Sequence, residues 1–344
     1  MGLVRQRMLP VLLTVMIACA SGDIVLTGAG ATFPLPLYKK WFSIYRKDHS
    51  TRIIYEPSGS SGGIRRLRER AVDFGATDAF LADPDLESFE GDILHVPTCV
   101  GAVVVTYNIP GVPTLCFTPE LLAKLFGGDI KNWSDRRLAR ANPGVELPDL
   151  NVTVVHRSEG SGTTHVFTHY LAKVCSEWAH DVGYGKTVRW PVGIGVEGNP
   201  GVAAFVKKIA GSIGYIELTY ASDNDLPVAA IMNRAGKFID PTIEAVTAAA
   251  DVAIPKDARV SLIDTPAPLG YPITSFTYLI VYREQNYGGR SLARARELGK
   301  LLWWAVHDGQ EHNNMMLYAP LPSAAIKRSE KLIRSITYKG KRIY

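Results

Sequence analysis

Three times in this chain a short apolar run stops at a cluster of glycine, serine and threonine and then continues into residues spaced for a helix. Ile24-Val25-Leu26 leads into Thr27-Gly28-Ala29-Gly30-Ala31-Thr32-Phe33-Pro34, after which Leu37, Trp41, Ile44 and Tyr45 recur at helical intervals. Ile53-Ile54-Tyr55 leads into Pro57-Ser58-Gly59-Ser60-Ser61-Gly62-Gly63, followed by Ile64 and Leu67 among arginines. Asn151-Val152-Thr153-Val154-Val155 leads into Arg157-Ser158-Glu159-Gly160-Ser161-Gly162-Thr163 and a helix-like stretch from Thr164 to Leu171. Repeated strand-turn-helix units argue for α/β architecture with mainly parallel sheets. Ala102 to Tyr107, with no polar alternation, predicts a parallel strand covered on both faces. Thr118-Pro119-Glu120 opens a helix that Gly127 closes, and Asn199-Pro200 caps another that runs to Lys208. A strand at Ile213 to Ile216 and helices at 292–306 and 326–336 complete the pattern.

The chemistry of these turns is specific. Glycines let backbone approach a ligand closely, the free amides at a helix start carry the positive end of its dipole, and hydroxyls add donors. Arg157 adds a planar, permanently charged fork suited to oxyanions. One such turn alone reads more readily as a serine cap beside a surface arginine. Three converging turns would surround a tetrahedral anion without a metal or a lysine. Asp78, at the end of Asp73-Phe74-Gly75-Ala76-Thr77, sharpens the choice. If it is more than a turn residue, its carboxylate repels a fully deprotonated anion such as sulfate and accepts a hydrogen bond from protonated phosphate.

Several chemistries are disfavoured. The chain has no G-x-x-x-x-G-K-[ST] loop, and Phe33 stands where a dinucleotide fingerprint needs its third glycine. His165 and His169 share a helix face but lack the glutamate of a zinc hydrolase. Ser161 sits in Gly-Ser-Gly, not G-x-S-x-G, and no base can be assigned to it. The turns therefore read as built to hold an anion, with no catalytic residue, cofactor or metal.

With 344 residues, 47% of them apolar and 21% charged, the chain exceeds one ordinary core, so two domains are expected. A net charge of +5 is too mild to argue for nucleic acid. Arg5 and Arg7 precede apolar Leu9 to Ala18, and Ala18-Cys19-Ala20 predicts cleavage of a signal peptide spanning 1–20 and export. Lipid attachment at Cys19 is the second-ranked reading. Cys99, Cys116 and Cys175 remain; at least two are expected as small buried hydrophobes, with pairing left open.

Together these motifs, with Gly211-Ser212-Ile213-Gly214-Tyr215, resemble the periplasmic phosphate-binding proteins of Pst-type ABC transporters from about Val25 onward. The resemblance implies a two-lobed periplasmic-binding-protein (type II) fold with two hinge crossovers, each lobe a mainly parallel sheet flanked by helices. It places lobe I at 24–107 plus 274–344 and lobe II at 108–273. It implies that phosphate is bound between them by Thr32, the Phe33 amide, Ser60, Asp78 as acceptor, Arg157, Ser161, Gly162 and Thr163. Glu159 stands where members commonly carry an aspartate that pairs with the arginine. The implied protein is a monomeric, periplasmic, high-affinity receptor that delivers inorganic phosphate to a membrane permease. A secreted phosphatase-like relative and a receptor for another tetrahedral oxyanion are the rivals.

Overall fold

Eight strands form one curled sheet in the computed structural model, which describes residues 24–112 and 114–343. The leader read at 1–20 and Cys19 lie outside the described residues. In chain order the strands are β1 (Ile24–Gly30), β2 (Thr51–Glu56), β3 (Phe74–Thr77), β4 (Ile93–Tyr107), β5 (Cys116–Phe117), β6 (Thr153–Arg157), β7 (Ile194–Val196), β8 (Ser212–Glu217), β9 (Ala230–Met232), β10 (Phe238–Ile239), β11 (Thr274–Tyr282) and the terminal pair β12 (Thr337–Tyr338) and β13 (Lys341–Arg342). The large sheet runs β2-β1-β3-β11-β4-β8-β6-β7, and β10-β9-β5 make a small one. Strands β2 and β3 are parallel to β1, as β7 and β8 are to β6.

One long strand joins the two parallel groups. From Ile93 to Ala102 β4 pairs with β11, and from Val103 to Tyr107 it pairs with β8, antiparallel in both cases. This corrects the parallel direction expected for Ala102 to Tyr107. The apolar run reports burial on both faces, which holds here from Leu94 onward, and burial does not depend on strand direction.

Local signals place most helices. Leu35–His49 buries Leu37, Tyr38, Trp41 and Tyr45 on one face. Thr118 Oγ1 accepts from the Leu121 amide and Pro119 opens the helix, but the left-handed residue that ends it is Gly128, one beyond Gly127. The predicted 326–336 helix spans Ser323–Ile333. Asn199 does not cap its helix, which is Gly198–Lys208, and its side chain is free for another use. Asp73, buried at the start of β3, forms ion pairs with Arg290 and Arg294 and accepts from Thr27, fastening β1 and β3 to the Leu292–Val306 helix.

All three cysteines among the described residues are free thiols. Cys99 is fully buried whereas Cys116 and Cys175 are half-buried, so the small-hydrophobe reading holds for one of them, not two. Among the described residues no helix is long and apolar enough to cross a membrane.

Candidate functional site

Parallel strands deliver their carboxyl ends, and the helix starts that follow, to one side of the sheet. There the turn after β1 is held by three hydroxyls from distant parts of the chain. Tyr55 donates to the Ala31 carbonyl at 2.7 Å, Tyr220 to Thr32 at 2.6 Å and Tyr318 to Phe33 at 2.6 Å. Because each peptide N–H points opposite the preceding carbonyl, fixing these carbonyls aims the Thr32 and Phe33 amides the other way. The Phe33 amide has no protein acceptor among the described residues. Its ring is buried edge-on to Tyr318 and takes no part beyond packing.

The second turn docks directly on the third. Ser60, buried in the first turn of Gly59–Arg68, accepts from the Gly162 amide at 3.1 Å and from the Asp78 amide at 3.4 Å. The Ser61 amide donates to the Gly160 carbonyl at 3.0 Å. A Cβ on Gly162 would come within 2.4 Å of Ser60 Oγ and 2.6 Å of Asp78 Oδ2, so only glycine fits there.

Asp78 is buried, and Thr277 donates to its Oδ1 at 2.9 Å. Burial pushes its carboxyl up to about 7, against the downward pull of Thr277, the Arg157 charge and Ser60. It thus switches between acceptor-only and donor near neutral pH.

Arg157 stands at the centre, its side chain 1% exposed. Its guanidinium donates to Thr163 Oγ1 at 3.3 Å, to Thr32 Oγ1 at 3.2 Å and, through Nε, to Glu159 Oε1 at 2.9 Å, with Nη2 also on that oxygen. The longer Glu159 side chain therefore still pairs with the arginine, and it accepts from the Gly198 amide at 3.2 Å. Ser161 caps the Gly162–Val174 helix by accepting from Thr164 at 3.1 Å. The bland cap reading is thus true of its oxygen, while its hydroxyl proton stays available. The Thr163 amide, in the first turn, has no intrahelical acceptor.

Sequence reasoning missed Asn199. Its Nδ2 donates to Thr32 Oγ1 at 2.9 Å and to Thr163 Oγ1 at 3.2 Å, tying two of the foreseen hydroxyls together. The signal was present: β7 into Glu197-Gly198-Asn199-Pro200-Gly201 is a fourth strand-to-helix turn, with Gly198 at φ 72°. Thr277, Tyr55, Tyr220 and Tyr318 carry no comparable local signal.

All eight foreseen residues meet here, one guanidinium and one carboxylate among hydroxyls and amides. No side-chain hydrogen bond of Ser60, Ser161 or Thr163 among the described residues involves a histidine. His165 and His169 instead pack around Tyr184. Among the described residues no three histidine, cysteine, aspartate or glutamate side chains cluster as metal ligands. On the Gly59–Arg68 helix and just beyond it, Arg66 pairs with Glu56 and Arg70 with Glu90, as a solvated face would.

The family model of the PBP superfamily domain matches residues 18–305. The chain is 37% identical over 333 residues to the phosphate-binding protein PstS of Pasteurella multocida, covering 94% of each. It is 39% identical over 327 residues to that of Methanocaldococcus jannaschii, covering 88% of this chain and 84% of the relative. In fold it is similar to a high affinity periplasmic phosphate-binding protein solved with phosphate, with a TM-score of 0.73 over 90% of this chain and 93% of that one, at 20% identity.

Proposed function

The chain belongs to the PBP superfamily and, within it, to the PstS phosphate-binding proteins, and on that premise we propose that it is a high-affinity receptor for inorganic phosphate. The observation that carries the reading is one buried guanidinium that holds Thr32 and Thr163 and acts on Asp78, itself joined to Gly162 through Ser60. Arg157 supplies the countercharge, and the hydroxyls of Thr32, Ser60, Ser161 and Thr163 with the amides of Phe33 and Thr163 supply donors, while the Gly162 amide holds the Ser60 oxygen in place. Asp78 accepts the proton that phosphate carries and sulfate lacks. Glu159 tempers the arginine from behind.

Lobe I is assigned to 24–107 plus 274–344 and lobe II to 108–273. The start of β11 at Thr274, against Ala102, favours the second crossover as assigned, whereas the pairing of Val103–Tyr107 with β8 favours a first crossover at Val103, a few residues earlier. Thr32, Ser60 and Asp78 then come from one lobe and Arg157 to Thr163 from the other, so closure completes the shell and excludes water. The closed shape is what the permease of an ABC importer would read, with the protein exported, monomeric and outside the membrane. The proposed role is binding and delivery without turnover of the ligand.

Calorimetry on the phosphate-stripped mature chain tests the reading. Tight phosphate binding with no sulfate binding is expected. Tight sulfate binding or no phosphate binding refutes it, and hydrolysis of a phosphoester would reinstate the phosphatase-like rival.

A further inference from the structure

One phenol proton is placed between two acceptors behind the site. Tyr318 Oη lies 2.6 Å from the Phe33 carbonyl oxygen and 2.9 Å from Glu217 Oε2, and both side chains are fully buried. A carbonyl only accepts and a phenol has one hydrogen, so the shorter contact takes it. The second contact is a hydrogen bond only if Glu217 itself donates. An ionised Oε2 would face the phenol lone pairs in a dry interior.

Thr219 does not relieve this. Its hydroxyl donates to the Met316 carbonyl at 2.7 Å, leaving Glu217 Oε1 3.3 Å away. Its amide, 3.0 Å from both carboxyl oxygens, serves one neutral carboxyl adequately. The titratable groups facing Glu217 are Asp78 on the turn after β3, Cys99 on β4, Tyr220 on the adjoining helix and Tyr318. None of them is a cation.

We infer that Glu217 carries a proton in this arrangement and is a positioning residue, locking Tyr318 onto the Phe33 carbonyl and so steadying the turn whose Phe33 amide, opposite the Thr32 carbonyl that Tyr220 holds, faces the anion. The positioning role rests on the phosphate reading, whereas the proton does not. Burial pushes this carboxyl up to about 8, against the pull of the Thr219 amide and the Tyr318 hydroxyl. The Glu217 amide also donates to Asn199 Oδ1 at 3.0 Å, so the end of β8 braces two turns of the site together.

Thermal unfolding of ligand-free wild type and Glu217→Gln across about pH 5 to 9 tests the proton. The folded acid keeps its proton up to about 8 while an unfolded glutamate loses it near 4.3, so wild-type stability falls as pH rises through that window. Glutamine lacks this loss. The melting temperature of Glu217→Gln minus that of wild type should therefore climb by several degrees with pH, and a flat difference overturns the inference. Should the variant not fold, infrared spectra of wild type labelled with carbon-13 glutamate decide. A protonated-carboxyl stretch at neutral pH supports the inference, and its absence overturns it.

Phosphate titrations test positioning. Wild type should lose roughly tenfold more affinity than Glu217→Gln on going to about pH 9, because only the protonated fraction is competent. Equal slopes overturn the positioning role. A wild type that binds no phosphate at any pH refutes the phosphate reading and the positioning role with it, while melting and infrared still decide the proton.

Discussion

Glu159 holds Arg157 with a single carboxylate oxygen, Oε1 at 2.9 Å from Nε, while its Oε2 is buried with no hydrogen-bond partner among the described residues. The arginine is thereby oriented toward Thr32 and Thr163 by a neighbour two residues away. A buried cation half-neutralised in this way still carries charge for an incoming anion, and its direction is set before the ligand arrives.

Arg157→Ala should weaken phosphate binding by about 2 to 5 kcal/mol, because the buried anion loses its countercharge. Calorimetry reads this directly. Unchanged affinity would place Arg157 outside the site.

Sulfate rejection should depend on pH with a midpoint near the Asp78 value of about 7. Above it the carboxylate is ionised and repels sulfate. Below it the neutral acid donates a hydrogen bond, so sulfate competition should grow as pH falls, by about tenfold per unit. Asp78→Asn should bind sulfate at every pH, and a variant as selective as wild type would remove Asp78 from the recognition step.

Gly162→Ala should cost one to two orders of magnitude in phosphate affinity, roughly the 1 to 3 kcal/mol of an overpacked contact. Its Cβ would meet Ser60 Oγ at 2.4 Å and Asp78 Cβ at 2.8 Å, and the latter is not the end of a flexible chain. Retained affinity would show that these two turns separate when ligand is bound.

Asn199→Ala should weaken binding by about 1 kcal/mol, since Thr32 and Thr163 would lose a shared neutral donor and keep Arg157. A loss as large as that of Arg157→Ala would mean that Asn199 touches the anion itself.

Asp73→Ala should lower stability by about 3 to 5 kcal/mol, leaving the buried Arg290 and the adjoining Arg294 without their shared partner. Denaturant unfolding measures this. Phosphate affinity of the folded fraction should hold, because Asp73 lies at the opposite end of β3 from Asp78.

Much of this site was readable along the chain because its demands are local. A strand that stops at glycine and hydroxyl residues before a helix must present unsatisfied amides, whatever surrounds it, and Arg157 to Thr163 state that requirement within seven residues. The same grammar announced Thr32 and Ser60, and it was written a fourth time at Gly198-Asn199, where it was read only as a cap. Asp78 and the family resemblance together carried the ligand from an anion in general to phosphate.

What only the tertiary structure decided are meetings between residues that share no local pattern. Tyr55, Tyr220 and Tyr318 hold consecutive carbonyls although up to 263 positions separate them, and Thr277 reaches Asp78 across 199. Each pairing follows from sheet order and from β4 passing from β11 to β8, which no single segment encodes. The direction of Ala102 to Tyr107 was misread for the same reason: hydrophobic pattern records which faces are covered, whereas strand direction depends on the partner the chain finds.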